Sequence, residues 1–217
     1  MRKMLIIVFL YFFGVHSMAQ EAIGGLNEAL DLLAEAKTAF DNGNSPLAEK
    51  KLEKSIATFP YERTAHTLMF KVLNNQSLHE KALLYLGKAM AIFEEDDEFY
   101  YYVAKTHQVM GQNEKALIAY NEAIHWAKKN GEDYPIVFDY YAGRGKCLLR
   151  KDLYKEALAD FEYSIKLNNK HSSVYIYQGY ALMKLNRKDE ACESWKKAIQ
   201  LGGASVKKKY DKYCACK

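Results

Sequence analysis

Proline is nearly absent and glycine is sparse: 3 and 12 in 217 residues. Such a chain lacks the punctuation that many strands and tight turns require. Four cysteines are too few for a disulfide-dense scaffold. Charge of one sign is not in excess, with 31 Lys and Arg against 27 Asp and Glu, a net of +4, so bulk electrostatics give no argument for nucleic acid. Low-complexity, collagen-like and mucin-like tracts are missing. Local signatures of catalysis are missing too. The histidines His16, His66, His79, His107, His125 and His171 form no HExxH pair, and His66 and His107 fall at helix-packing places. Gly24-Gly25 and Gly202-Gly203 are isolated pairs rather than a phosphate-binding loop. The acidic run Glu94 to Glu98 lacks the spaced twelve-residue calcium loop and reads as acids at a helix start. No local motif stands behind a serine, histidine and acid set. The expectation is a protein that is not an enzyme and holds no cofactor and no metal.

What is present is ordinary globular material, 49% apolar and 27% charged, long enough for one or two domains with a sizeable core. The first residues stand apart. Arg2 and Lys3 precede an apolar run from Met4 to Val15, and Ser17-Met18-Ala19 places small residues at the −3 and −1 positions of a cleavage site. That is the layout of a secretory signal peptide over residues 1–19. The run is short for a bilayer-spanning helix, which needs about 20 apolar residues, although a retained anchor is the rival. Cleavage would lower the net charge from +4 to +2 and leave a protein without stable membrane insertion, periplasmic or secreted. Asn75-Gln76-Ser77 is a glycosylation sequon that only a glycosylating host would use.

The rest repeats. Alanines fall at Ala48, Ala82, Ala116, Ala157 and Ala191, separated by 34, 34, 41 and 34 residues. Four residues on stand Leu52, Leu86, Tyr120, Phe161 and Trp195; seven on, Ser55, Ala89, Ala123, Ser164 and Ala198; eight on, Ile56, Met90, Ile124, Ile165 and Ile199. Offsets of 0, 4, 7 and 8 trace one helix face, so each segment reads as the second helix of a unit. Twelve residues before each alanine come Ala36, Phe70, Ala104, Gly145 and Gly179, and four before those Leu32, His66, Tyr100, Tyr141 and Tyr175. A small residue in the first helix lets its partner approach, and a large neighbour fills the gap.

These residues resemble the tetratricopeptide repeat family. Tyr141, Gly145, Leu148, Ala157, Phe161 and Asn169 carry the motif in one unit, and Tyr175, Gly179, Leu182, Ala191, Trp195 and Ala198 in the next. The closing proline survives only at Pro60, and Phe70 in the small-residue slot departs from the pattern. Residues 29–205 divide into units 29–62, 63–96, 97–137, 138–171 and 172–205, after a leading segment 20–28. The third is longer, and Trp126 to Glu132 extend its second helix and loop. The resemblance implies an all-α fold, a right-handed superhelical solenoid of antiparallel helix pairs. A C-terminal capping helix over 204–213 would cover the last second helix with Val206, Tyr210 and Tyr213. The closing pattern around Ala191-Cys192 and Lys212-Tyr213-Cys214 is similar to small exported tetratricopeptide proteins of Bacteroidetes-type bacteria.

Cys147, Cys192, Cys214 and Cys216 allow three complete pairings. The preferred bond is Cys192 to Cys214, since one lies beside Ala191 on the last second helix and the other ends the cap that should lie on it. Cys147, two residues past Gly145, reads as an inert core thiol. The alternative is a redox or metal pair at Cys214-Ala215-Cys216.

In the family, extended peptides bind the concave side lined by first helices. The ninth place of each unit is then Lys37, Lys71, Lys105, Lys146 and Tyr180, a lysine ladder that favours an acidic partner. Asn74 and Gln108 would meet peptide backbone, and Tyr101, Ile176, Tyr180 and Met183 would offer apolar contacts. The bland reading leaves the lysines solvated or pairs them with Glu98 and Asp139 across neighbouring helices. The function expected is a non-enzymatic protein-binding scaffold whose partner is a protein or peptide. The alternatives are an envelope-assembly factor acting through self-association, with the oligomeric state open, and a groove for small molecules or carbohydrate.

Overall fold

The computed structural model describes residues 2–133, 135–168 and 170–214, with side chains from Gln20 onward. Among them the fold is all-α. The helices are α1 Arg2–Asp41, α2 Ser45–Thr58, α3 Arg63–Asn75, α4 His79–Met90, α5 Asp97–Val109, α6 Asn113–Asn130, α7 Val137–Arg150, α8 Tyr154–Leu167, α9 Ser172–Lys184, α10 Lys188–Gln200 and α11 Lys207–Tyr213. They pack in consecutive pairs. A 3-10 turn, Ala204–Val206, precedes α11, so the expected single cap helix is split at Val206. At the other end α1 runs from Arg2 to Asp41, so the leading segment 20–28 continues directly into the first helix of the first unit.

Each first helix ends in the same way. Gly43, Ser77, Gly111, Asp152 and Asn186 all have positive φ, between 59° and 77°. The next amide in each case bonds five residues back: Asn44 to Ala39, Leu78 to Leu73, Gln112 to His107, Leu153 to Leu148 and Arg187 to Leu182, all at 2.8–3.1 Å. This left-handed stop satisfies carbonyls that the helix end would otherwise leave open, and turns the chain back into the second helix. The Asn44 side chain then caps α2 by accepting from the Leu47 amide, with Pro46 in the first turn.

The helices group into two compact units, Met1–Phe93 and Glu94–Lys217. In the first, Ala48, Leu52, Ser55, Ala82, Leu86 and Ala89 are all buried. The Ser55 hydroxyl donates to the Ala29 carbonyl at 2.8 Å, which ties α2 to α1. Lys81 on α4 is held by Glu49 and Glu53 of α2. His66 is buried, with Nε2 2.8 Å from the Pro60 carbonyl oxygen and its ring edge-on to Phe93.

The second unit repeats these contacts. Ser164 donates to the Phe138 carbonyl at 2.8 Å, as Ser55 does to Ala29. The small-residue slots are needed for close approach. A Cβ on Gly145 would sit 2.7 Å from the Phe161 ring, and one on Gly179 would overlap the Trp195 indole. Gly143, which the repeat pattern did not single out, faces Tyr120 in the same way. Asp97, buried at the start of α5, accepts from the Tyr140 hydroxyl at 2.7 Å and from Asn130 at 3.1 Å. Arg144 forks onto Asp160 at 2.7 and 2.8 Å. Val206 is fully buried, and Tyr210 packs with it on Trp195 and Ala198. Tyr213 stays 39% exposed, yet its ring lies 6.5 Å from that of Trp195, so all three expected residues meet the last second helix. Cys192 and Cys214 are joined, their Cα atoms 5.6 Å apart, within the span a disulfide bridges.

Candidate functional site

The lysine ladder divides between the units. In the first, Lys37 on α1 and Lys71 on α3 are exposed and line one cavity. Asn74, one turn after Lys71, is exposed. In the second unit the first-helix face is built by α5, α7 and α9. Lys105 lies with Nζ 5.5 Å from the centroid of the Tyr101 ring, and Lys146 with Nζ 4.9 Å from that of Tyr177. Both are at cation–π distance. Neither forms an ion pair among the described residues: Lys105 is exposed, as the solvated alternative has it, and Asp139 acts on Lys146 through its charge.

Two expected contact residues are turned inward. Tyr101 is only 4% exposed; its ring lies 4.9 Å from that of Tyr140 and its hydroxyl donates to Asp139 at 3.4 Å. An aromatic side chain at this place fills the gap between α5 and α7 instead of facing solvent. Burial, then the Asp139 charge, hold its phenol well above the ordinary tyrosine range. Gln108 is occupied as well. Its amide lies 3.4 Å from the Gly143 carbonyl oxygen and 3.6 Å from the Cys147 sulfur, and its oxygen accepts from Tyr120. Cys147 is buried and free, and burial pushes its thiol up.

Ile176, Tyr180 and Met183 on α9 are partly buried beside Trp195. Tyr180 meets Trp195 edge-on at 5.6 Å, and the Lys209 amine of α11 stands 4.3 Å over the Tyr180 ring. Lys209, Tyr177 and Arg150 belong to this face although the ninth-place pattern does not reach them. Tyr177 was legible as a large residue one place after Ile176. Lys209 depends on where the cap lands.

The electrostatics centre on Lys146. Burial, with Lys105 and Arg150 nearby, pushes its amine below the ordinary lysine value, and Asp139 opposes the shift. Three cations and one acid therefore act on one face, with tyrosine rings beneath two of the amines. The arrangement can take up negative charge. Among the described residues no group of three His, Cys, Asp or Glu side chains is placed to hold a metal. No described helix is long and apolar enough to cross a membrane. Asn169, and Cys216 of the alternative cysteine pair, lie outside the described residues.

No family model matches the sequence. A 98-residue stretch is 28% identical to DnaJ homolog subfamily C member 7 of Homo sapiens, and 26% identical to that of Mus musculus. It covers 45% of this chain and 20% of each relative, so the match spans about a fifth of the relatives' length. Among solved structures, pilF of Pseudomonas aeruginosa superposes with a TM-score of 0.70 at 19% identity, over 82% of this chain and 78% of that one. MamA gives 0.66 at 19%, over 79% and 96%. YrrB, described as a TPR protein with an unusual peptide-binding site, gives 0.63 at 17%, over 88% and 91%. At these identities the likeness establishes the fold, which is the tetratricopeptide arrangement of helix pairs.

Proposed function

We propose that this protein is a non-enzymatic binding module of an exported compartment, and that it holds an extended acidic peptide segment on the first-helix face of α5, α7 and α9. The observation that carries the reading is Lys146. It is a partly buried amine with no ion-pair partner among the described residues; burial lowers its pKa most, Asp139 opposes the shift, and Lys105 and Arg150 add to it. A carboxylate placed between Lys105 and Lys146 relieves that repulsion and gains charge-assisted hydrogen bonds. Tyr180 and Met183 supply apolar surface beside it, where specificity arises from side-chain shape.

The export reading rests on the leader pattern of residues 1–19, and the Cys192–Cys214 link suits an oxidising compartment. Intact-mass measurement on protein recovered from its own cells should give a chain starting at Gln20 with two thiols fewer than the reduced form. A chain retaining Met1 would remove the export reading.

The binding reading is tested with end-blocked, fluorescein-labelled peptides that differ only in carrying aspartate or lysine, measured by anisotropy. The acidic peptide should bind in preference. The double variant K105Q/K146Q should lose about tenfold, near 1.4 kcal/mol. Equal affinity for both peptides, or full affinity in the double variant, would remove the proposal.

A further inference from the structure

A cavity of about 530 Å³ lies in the second unit, away from the lysine face, and α8, α9, α10 and α11 all line it. On α9 its lining residues are Gln178 and Leu182. At 3.6 residues per turn these leave the helix on the side opposite to Ile176, Tyr180 and Met183. Leu182, Tyr210 and the Cys192–Cys214 bridge give it an apolar wall. Its charge is opposite in sign to the +4 of the chain. Glu162, Asp189, Glu190 and Glu193 line it with Lys188, and Arg187 beside them forks onto Glu190 and feels the Glu162 charge. Four acids against two cations leave a net of −2. Glu162 and Glu193 are exposed, and neither forms an ion pair or hydrogen bond among the described residues. Donors are short as well. The Ser194 hydroxyl, in a side chain only 9% exposed, lies 2.9 Å from the Gln178 side-chain oxygen and 3.0 Å from the Glu190 carbonyl oxygen. It has one proton for two acceptors, so one of them goes without it.

We propose that this cavity is a binding site for an aliphatic polyamine, a small molecule with two or more protonated amines on a methylene chain. Ammonium groups donate and never accept, which matches a lining rich in acceptors and poor in donors. A peptide brings a carbonyl for every amide it offers, and those carbonyls find few donors here. The methylene chain lies along Leu182, Tyr210 and the disulfide, as a lysine stem covers apolar surface. A single metal ion is the poorer occupant, because among the described residues no three His, Cys, Asp or Glu side chains are placed to hold one. Carboxylates spread over α8 and α10 call instead for charges spread along the ligand. The volume falls within the roughly 300–1,000 Å³ of small-molecule pockets. No residue of α5 or α7 takes part, so failure of the acidic-peptide reading leaves the site untouched.

The test is calorimetric titration of the full, oxidised chain with spermidine at near-neutral pH and low salt. The controls are butylamine, magnesium chloride at equal ionic strength, and an end-blocked peptide of alternating glycine and lysine. Spermidine should bind saturably at one site, at least tenfold more tightly than any control. E162Q/E193Q, which changes only exposed side chains, should keep its melting temperature and lose about tenfold, the scale of two charge contacts at low salt. E94Q/E95Q, which removes the same charge elsewhere, and K105Q/K146Q should both stay within twofold of wild type. Amide shift changes on binding should map to α8, α10 and α11. Absence of binding, full affinity in E162Q/E193Q, or an equal loss in E94Q/E95Q would overturn the proposal. So would magnesium binding as tight as that of spermidine, which marks an ion site, or equally tight binding of the lysine peptide, which marks a docking face for basic segments.

Discussion

Lysines at the same place of the repeat live in different surroundings in the two units. Lys37 and Lys71 stand exposed beside an apolar cavity, with leucines and a threonine around them. Lys105 and Lys146 lie over tyrosine rings, and Lys146 is partly buried. The repeat fixes which way a side chain leaves its helix. What it meets is decided by its neighbours: Lys105 lies over Tyr101, four places earlier on its own helix, and Lys146 over Tyr177 of α9, whereas the place four before Lys37 and Lys71 holds no ring. The glycines show the same contrast. Gly87 of α4 has open space where a Cβ would go, whereas Gly179 of α9 is pressed against Trp195.

The largest effect expected from that contrast is at the glycines. Gly179→Val forces the Trp195 indole out of its place and should cost about 3 kcal/mol, the upper end of ordinary overpacking. Gly87→Ala should instead stabilise by about 0.5–1 kcal/mol, because a helix-interior glycine carries only its entropic penalty there. Thermal melts of the two variants break the comparison if they shift in the same direction.

Next comes the staple, which belongs to the second unit alone. The loop closed by Cys192 and Cys214 spans 22 residues, and the chain-entropy relation gives roughly 3 kcal/mol as an upper figure for such a loop. Reduction with a dithiol should stabilise nothing and should speed amide exchange in α11 first, then at the end of α10. Unchanged exchange in α11 would mean that Val206 and Tyr210 hold the cap without the bond.

A smaller change is expected at Thr67. Replacing its unsatisfied hydroxyl by a methyl group in Thr67→Val should raise stability by about 1 kcal/mol, seen as a higher denaturant midpoint with an unchanged slope. A loss would show that the hydroxyl has a partner in solution.

The smallest effect is in the pH dependence of Lys146. Its folded-state pKa is lowered from 10.5, so the unfolded chain binds the proton more tightly. The penalty is fully present below the lowered value and disappears as pH rises from it to 10.5. Stability of wild type relative to Lys146→Met should therefore climb through that window. A flat difference would place the amine in water.

Much of the fold was legible because helix pairing constrains residue size at fixed spacing. Ala48, Ala82, Ala116, Ala157 and Ala191 are all buried on second helices, and Phe161 and Trp195, four places on, meet the small slots Gly145 and Gly179 as expected. The five left-handed turn residues keep the same 34, 34, 41, 34 spacing. That spacing was present in the sequence, but Ser77, Asp152 and Asn186 hide it because they are not glycine. The face itself was less legible. Tyr101 and Gln108 sit at groove places by count, yet a neighbouring helix covers them, and periodicity along one helix carries no record of that. The grouping into two units was not legible either, since the repeat spacing runs on unchanged from Ala82 to Ala116.

The central claim is that an acidic segment relieves the charge gathered around Lys146. Calorimetry of the acidic peptide in two buffers of different ionisation enthalpy, at a pH between the lowered Lys146 value and 10.5, measures it directly. The account predicts net proton uptake on binding, abolished in Lys146→Gln. Binding with no proton exchange, or uptake that persists in that variant, would contradict it.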